Sequence, residues 1–130
     1  MAILPNRPAE ALGWRILVVE DEFLVAADIG LMLEELGCHP VGPIGDLEAA
    51  IRAAREEPLD AALLDVNLHG GSAMPVADAL AARDIPFAFC TGYGAQGLPR
   101  HGDAPRLAKP FQTGELQRAI RALAQRRQGG

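Results

Sequence analysis

The sequence has few cysteines and no cluster of positive charge, and each shortage excludes a class of protein. Its two cysteines, Cys38 and Cys90, lie far apart without C-x-x-C spacing, which excludes a disulfide-dense scaffold and favours a reducing cytoplasm. Lys and Arg number 12 against 17 Asp and Glu, giving a net charge of −5. Without a basic face we expect no DNA binding. No apolar run is long enough to span a bilayer, so we expect no membrane partner.

Length and composition indicate one globular domain. Of the 130 residues, 49% are apolar, which is enough to bury a core. Residues 1–13 contain Pro5 and Pro8 and no long apolar stretch, so they are predicted to be a flexible leader rather than a signal peptide. We assign residues 14–127 to the domain. We expect no output domain after it, because the remaining sequence has no room for a helix-turn-helix.

Short apolar runs alternate with amphipathic stretches, which is typical of β-α units. The predicted strands are RILVV (15–19), HPVGPIG (39–45), DAALLDV (60–66), PFAFC (86–90) and RLA (106–108). Gly42 and Pro43 disfavour a central position, so the second strand is predicted at a sheet edge. Because parallel strands need crossovers that cover the sheet, the pattern predicts a doubly wound α/β fold with five parallel strands and helices on both faces.

Four amphipathic helices are predicted from apolar residues at helical spacing, with Asp46 and Ser72 as the N-caps of the second and third. The residues predicted to face inward are Val25, Ile29, Met32 and Leu36; Leu47, Ala50, Ile51 and Ala54; Ala73, Ala77, Leu80 and Ala81; and Leu116, Ile120 and Leu123. The first helix has further apolar residues, which either widen its core face or stay exposed for a kinase or a second copy: Phe23, Leu24, Leu31 and Leu33.

The segment between the fourth and fifth strands has the wrong composition for a helix. It contains Gly92, Gly94, Gly97, Pro99, Gly102 and Pro105. Each glycine in a helix costs about 1 kcal/mol relative to alanine, and an interior proline costs about 3 kcal/mol. The fourth crossover helix is therefore predicted to be absent, or about one turn long, and replaced by a mobile loop.

Charged and hydroxyl side chains follow four of the predicted strands. Glu20 and Asp21 follow the first, Asp65 ends the third, Thr91 follows the fourth and Lys109 follows the fifth. The carboxyl ends of parallel strands meet at one edge of the sheet, where ligands bind in such folds. Converging carboxylates repel one another unless a cation neutralises them, and their oxygens suit Mg²⁺. One of them can then act as a nucleophile towards a phosphoryl group, whose oxygens a hydroxyl and an ammonium can bind.

The motifs ILVVEDE, LLDVNL, CTG and KPF, in this order and spacing, resemble the receiver domain of bacterial two-component response regulators. The resemblance implies a CheY-like fold in which Asp65 accepts a phosphoryl group from a phosphohistidine of a sensor histidine kinase. It also implies Mg²⁺ bound by Glu20, Asp21 and Asp65, with the backbone carbonyl of Asn67 as a further ligand. Such a domain is a phosphoacceptor that promotes its own phosphotransfer and dephosphorylation rather than an enzyme.

The stretch PFAFCTGYG is similar to the Phe-Ala-Thr-Gly-x-Tyr-type signature of a receiver subgroup. Its members are often single-domain regulators paired with kinases of the HWE/HisKA2 type. The resemblance implies that Thr91 and Lys109 hold the phosphoryl oxygens. Three residues before the lysine, receivers usually carry a Tyr or Phe that swings inward on activation, but Arg106 stands there. We expect Tyr93 to take over the role of this aromatic residue, in a loop that phosphorylation orders. The ordered loop would then contact a downstream protein or a second phosphorelay member. We expect the protein to be a monomer or weak dimer.

The site allows two other interpretations. The domain could pass its phosphoryl group to another histidine, as a sink or shuttle in a relay. A phosphatase of the haloacid dehalogenase type also combines a strand-end Asp with Mg²⁺, but its motif requires a second acid where Asn67 stands. His69, four residues after Asp65, lies near enough to touch a phosphoryl group, but we interpret it as a solvated loop histidine.

Overall fold

Strands and helices alternate along the chain. The computed structural model describes residues 11–69, 71–92 and 98–129. The elements in these ranges are β1 (Arg15–Val19), α1 (Phe23–Glu35), β2 (His39–Ile44), α2 (Leu47–Glu56), β3 (Ala61–Asp65), β4 (Asn67–Leu68), β5 (Gly71–Ser72), α3 (Met74–Ala82), β6 (Phe87–Thr91), β7 (Arg106–Ala108) and α4 (Thr113–Gly129). No helix within these ranges has the length and apolar character needed to cross a membrane.

Five strands form one parallel sheet in the order β2-β1-β3-β6-β7, and β4 pairs with β5 in a small antiparallel hairpin. This is the predicted doubly wound sheet, and β2 occupies the predicted edge. Gly42 has a φ of +101°, and a Cβ there would lie 2.8 Å from the Ile44 amide nitrogen. The irregular edge therefore requires glycine. Because Asp65 pairs with Cys90 and Thr91 with Ala108, the carboxyl ends of β3, β6 and β7 lie level at one edge.

The sheet separates two apolar cores. Ile16 and Val18 of β1 point to the side covered by α1 and α4, whereas Leu17 and Val19 point to the side covered by α2 and α3. The alternation is the period of two expected of a strand buried on both faces. All five residues of β3 are buried. The central strand is thus held rigidly on both faces, and Asp65 is its last residue.

The buried faces of α1 and α3 differ from the prediction. In α1 the fully buried residues are Ala26, Ile29 and Leu33, so Leu33 belongs to the core, while Val25 and Met32 are half-buried at its border. The sequence misled here because apolar residues surround most of this helix. In α3, the predicted inward residue Ala81 is exposed.

The two predicted N-caps have different outcomes. The Asp46 side chain accepts a hydrogen bond of 2.9 Å from the amide of Ala49, so it caps α2 as predicted. Ser72 is the last residue of β5, and the N-cap of α3 is Ala73. The Ser72 hydroxyl still accepts a hydrogen bond from the Met74 amide at 3.1 Å. It therefore satisfies one of the free amides at the start of the helix without occupying the cap position.

The described chain is already packed before the predicted start of the domain. Ala11 is fully buried, and the amide of Gly13 donates to the carbonyl of Gly37 at 2.8 Å. Trp14 packs beneath the guanidinium of Arg127, which lies 5.4 Å from the ring centroid. Residues 11–13 therefore belong with the fold. Residues 1–10 lie outside the described ranges, and the division into leader and domain stays a prediction.

The crossover from β6 to β7 is a loop where it is described. Residues 98–105, here called the strap, contain no helix, and residues 93–97, with Tyr93, lie outside the described ranges. Asp78 of α3 accepts hydrogen bonds from Arg100 at 2.8 and 3.2 Å and lies 2.7 Å from His101. On the other side, Arg126 of α4 donates to the carbonyl and carboxylate of Asp103, both at 2.8 Å. The strap is thus fastened to two helices.

Candidate functional site

Three carboxylates converge at the carboxyl edge of the sheet. Glu20 and Asp21 directly follow β1, and Asp65 ends the adjacent β3. One oxygen of each lies within 4.8 Å of an oxygen of the others. Glu20 and Asp65 are the buried charged residues of the described ranges, 3% and 7% exposed. Buried carboxylates this close require a positive partner.

Lys109 supplies part of that positive charge. Its Nζ lies 2.7 Å from Oε1 of Glu20 and 3.3 Å from Oδ2 of Asp65, so one ammonium bridges two strand ends. Its backbone amide donates to the carbonyl of Thr91 at 2.8 Å, which fixes the lysine beside β6. Burial lowers the pKa of Lys109, but the contacts with the two carboxylates outweigh it and the net direction is upward. Lys109 is therefore a permanent cation of the site.

One ammonium does not neutralise three carboxylates, and the raised pKa of Asp65 reflects the remaining negative charge. Burial, followed by repulsion from Glu20, raises the pKa of Asp65 to about 6. Lys109 and the Asn67 amide, which donates to Oδ1 of Asp65 at 3.3 Å, oppose this rise without cancelling it. The ionised form of such a carboxylate is stabilised when a second cation binds beside it. The hard oxygen donors of the cluster fit Mg²⁺, which needs few protein ligands.

Asp21 is held from the other side of the site by His69. The backbone amide of His69 donates to Oδ2 of Asp21 at 2.8 Å, and the ring Nδ1 lies 3.0 Å from the same oxygen. The side chain of His69 is 89% exposed, so the interpretation as a loop histidine was right about solvent. The contact with Asp21 was not predicted. Sequence spacing carried no signal for this pair, because the partners are 48 residues apart.

The structure brings together the side chains of Glu20, Asp21, Asp65 and Lys109. Asn67 contacts Asp65 through its backbone amide, whereas the prediction concerned its backbone carbonyl, whose role as a ligand stays a prediction. The hydroxyl of Thr91 instead donates to the carbonyl of Leu107 on β7 at 3.4 Å. Arg106 is exposed at the start of β7, and its predicted connection to switching stays a prediction. The same holds for Tyr93, which lies outside the described residues.

Two depressions adjoin the cluster. A pocket of about 410 Å³ opens above it, lined among others by Asp21, Asp65, Asn67, His69 and Lys109. Beside it, an apolar groove of about 290 Å³ runs between α1 and the residues after Lys109, lined among others by Val25, Met32, Pro110 and Phe111. The carboxylate of Asp65 therefore faces the larger pocket, here called the mouth, which is open to a side chain of another protein.

A model of the response regulator receiver domain matches residues 16–121 of the chain. The chain belongs to this family. The solution structure of SdrG from Sphingomonas melonis Fr1 is similar to it, with 45% identity, a TM-score of 0.78 and coverage of 87% of this chain and 97% of SdrG. The receiver domain of the sensor histidine kinase PA1611 from Pseudomonas aeruginosa PAO1, solved with magnesium in its active site cleft, is 30% identical with a TM-score of 0.75. That match covers 87% of this chain and 98% of the other.

A curated relative extends beyond this receiver domain. The transcriptional regulatory protein PdtaR of Mycobacterium tuberculosis (strain CDC 1551 / Oshkosh) is 32% identical over 128 residues. These cover 94% of this chain and 62% of PdtaR, so the chain spans less than two thirds of that relative. Family membership confirms the predicted function at its general level, a phosphoacceptor receiver domain of two-component signal transduction. The phosphatase alternative finds no support in these comparisons.

Proposed function

We propose that Asp65 is the phosphoacceptor of this receiver domain. A carboxylate oxygen of Asp65 attacks the phosphorus of a phosphohistidine; an O–P bond forms, the P–N bond breaks, and the imidazole nitrogen leaves with the electron pair and takes up a proton. The observation that carries the proposal is the buried carboxylate of Asp65 at the floor of the mouth, 3.3 Å from Lys109. Its raised pKa means that it is ionised near neutral pH but poorly stabilised, which suits a nucleophile.

The carboxylates of Glu20, Asp21 and Asp65, with the backbone carbonyl of Asn67, would hold Mg²⁺. When bound, the ion would neutralise charge on the transferring phosphoryl group. The oxygens of the three carboxylates already lie within 4.8 Å of one another, and Asn67 follows Asp65 closely enough for its amide to contact it.

Lys109 and Thr91 would bind the phosphoryl oxygens. Lys109 already touches Asp65 and can transfer this contact to a phosphoryl oxygen without leaving Glu20. Thr91 would have to exchange the Leu107 carbonyl for a phosphoryl oxygen. Phosphorylation would then release one contact between β6 and β7. This is the step that connects the chemistry to the crossover, where we expect Tyr93 to respond.

The partner surface that we propose for the histidine kinase is the start of α1. Phe23 and Leu24 are 82% and 78% exposed and directly follow Glu22, which lines the mouth and the apolar groove. Exposed apolar side chains beside a reaction site favour a protein partner. We propose an HWE/HisKA2-type kinase, a cytoplasmic location, a monomer or weak dimer, and output through contact with a downstream protein rather than DNA. A relay sink or shuttle would use the same chemistry in reverse.

The direct test is labelling by a small acyl-phosphate donor with Mg²⁺. The wild-type protein should gain one acid-stable, base-labile phosphoryl group, and Asp65→Asn should gain none. Asp84→Asn, which changes an exposed aspartate in the loop after α3, is the matched control and should be labelled normally. Labelling of Asp65→Asn at the wild-type level would disprove the assignment.

A further inference from the structure

His69 contacts Asp21 twice, and both contacts reach the same oxygen. The backbone amide lies 2.8 Å and the ring Nδ1 3.0 Å from Oδ2 of Asp21. The ring contact requires a proton on Nδ1, which the Nδ1–H tautomer and the imidazolium both provide. The Asp21 side chain is only 11% exposed, whereas that of His69 is 89% exposed. A solvated ring is ordinarily free to turn away, so its position on the partly buried carboxylate of Asp21 indicates a specific contact.

The double contact determines which oxygen of Asp21 is left to bind a cation. Among the described residues, Oδ2 accepts the hydrogen bond from the His69 amide and also contacts the ring, whereas no contact is described for Oδ1. A carboxylate held in this way keeps one orientation, with Oδ1 left for a cation. Hydrogen-bonding partners of a metal ligand fix its orientation, and removing such a partner typically weakens metal binding by roughly 10- to 100-fold.

His69 also connects Asp21 to the hairpin that follows the phosphoacceptor. It lies directly after β4, which pairs with β5 through Asn67 opposite Ser72 and Leu68 opposite Gly71. Asn67, on the same hairpin, contacts Asp65. The contact of His69 with Asp21 therefore connects two parts of the site, the carboxylate after β1 and the backbone after β3.

We propose that His69 is a positioning residue that locks Asp21 to the β4–β5 hairpin and thereby prepares the site for a divalent cation. This inference rests on the proposed function, because it assumes that Asp21 and the Asn67 carbonyl hold Mg²⁺. His69 acts through Asp21 and the hairpin and is not itself a ligand. Because the backbone contact survives a change of side chain, the effect of losing the ring is about three- to tenfold, at or below the lower end of the usual range.

The test is an NMR titration of the full chain with Mg²⁺, following the amide signals of the β4–β5 hairpin in wild type, His69→Ala, His69→Asn and Asp21→Ala. His69→Ala should raise the Kd about three- to tenfold and speed amide exchange in the hairpin before metal is added. His69→Asn carries an amide nitrogen close to the place of Nδ1, so it should stay within about twofold of wild type.

The outcomes separate this inference from the proposed site. If Asp21→Ala loses Mg²⁺ binding while His69→Ala binds like wild type, the locking role of His69 is wrong and the site stands. If His69→Asn is as weak as His69→Ala, the ring nitrogen is not what acts, and the inference is equally overturned. If Asp21→Ala binds Mg²⁺ normally, the proposed metal site itself is wrong, and the role of His69 with it.

Discussion

Replacing Asp65 by asparagine should stabilise the protein in the absence of metal, although it removes the proposed reactive group. The pKa of Asp65 rises from its ordinary 3.8 to about 6, so the folded protein resists the charge that the unfolded chain accepts. Two pKa units correspond to about 3 kcal/mol. Because the mouth admits solvent, we discount this by about half, to roughly 1–2 kcal/mol. Asp65→Asn keeps the shape of the side chain and removes the charge.

The sign of the pH dependence follows from the direction of the shift. At about pH 4, near the ordinary pKa of 3.8, the carboxyl of Asp65 is protonated in the folded state and about half protonated in the unfolded chain, so the penalty is small. Between about pH 4 and pH 6 the unfolded chain loses this proton first, and the wild-type protein loses stability relative to the variant. Above about pH 6 the full penalty is present. The advantage of Asp65→Asn should therefore be small at about pH 4 and largest near pH 7.

Urea denaturation followed by circular dichroism measures this difference. Wild type and Asp65→Asn are compared at about pH 4 and pH 7 with a chelator, with Asp84→Asn as a control that should show no such pH-dependent gap. Added Mg²⁺ should narrow the gap at pH 7, because it binds and stabilises the wild-type protein more than the variant. A gap that is equal at both pH values, or a variant less stable than wild type at pH 7, would refute the electrostatic origin of the raised pKa.

Three further perturbations probe the cation, the partner surface and the strap. Lys109→Met leaves two buried carboxylates uncompensated and should lower the free energy of unfolding by about 2–4 kcal/mol in urea denaturation; a loss below about 0.5 kcal/mol would show that the ammonium is not needed. The double change of Phe23 and Leu24 to alanine should slow phosphotransfer from the histidine kinase about tenfold, which corresponds to about 1.4 kcal/mol of activation free energy. It should spare labelling by acyl phosphate, and Leu31→Ala on the same helix serves as control; equal slowing of both reactions would argue against docking there. Asp78→Asn should speed amide exchange in the strap while costing less than about 1 kcal/mol of global stability, and unchanged exchange would mean that the ion pairs do not fasten it.

The position of the site was predictable because parallel strands bring their ends together. Glu20, Asp65 and Lys109 follow or end β1, β3 and β7. Because these are parallel strands of one sheet, their carboxyl ends lie at the same edge, and this does not depend on the conformation of the loops between them. Strand position follows from short apolar runs, a signal that this sequence carries clearly. The residue types then specified the chemistry.

What the sequence did not show depends on side-chain direction and on contacts between distant residues. The buried face of α1 was misjudged because Val25 and Leu33 are equally apolar, and only packing against the sheet decides which is covered. The composition of the strap predicted a loop, but its attachment through Asp78 and Arg126 joins residues 22 to 23 positions apart that no periodicity connects. The contact between His69 and Asp21, which are 48 residues apart, was missed for the same reason.

The strap has a consequence for how this protein can diversify. An ordinary crossover helix contributes a row of apolar residues to the core, so each substitution there disturbs packing. Among the described residues of the strap, only Ala104 is buried, and two of the attachments that hold it to the helices are exposed ion pairs. Its length and composition can change at little cost to the interior while Asp78 and Arg126 keep their partners. New partner specificities can therefore be acquired at this edge of the molecule without altering the carboxylates and the lysine of the proposed site.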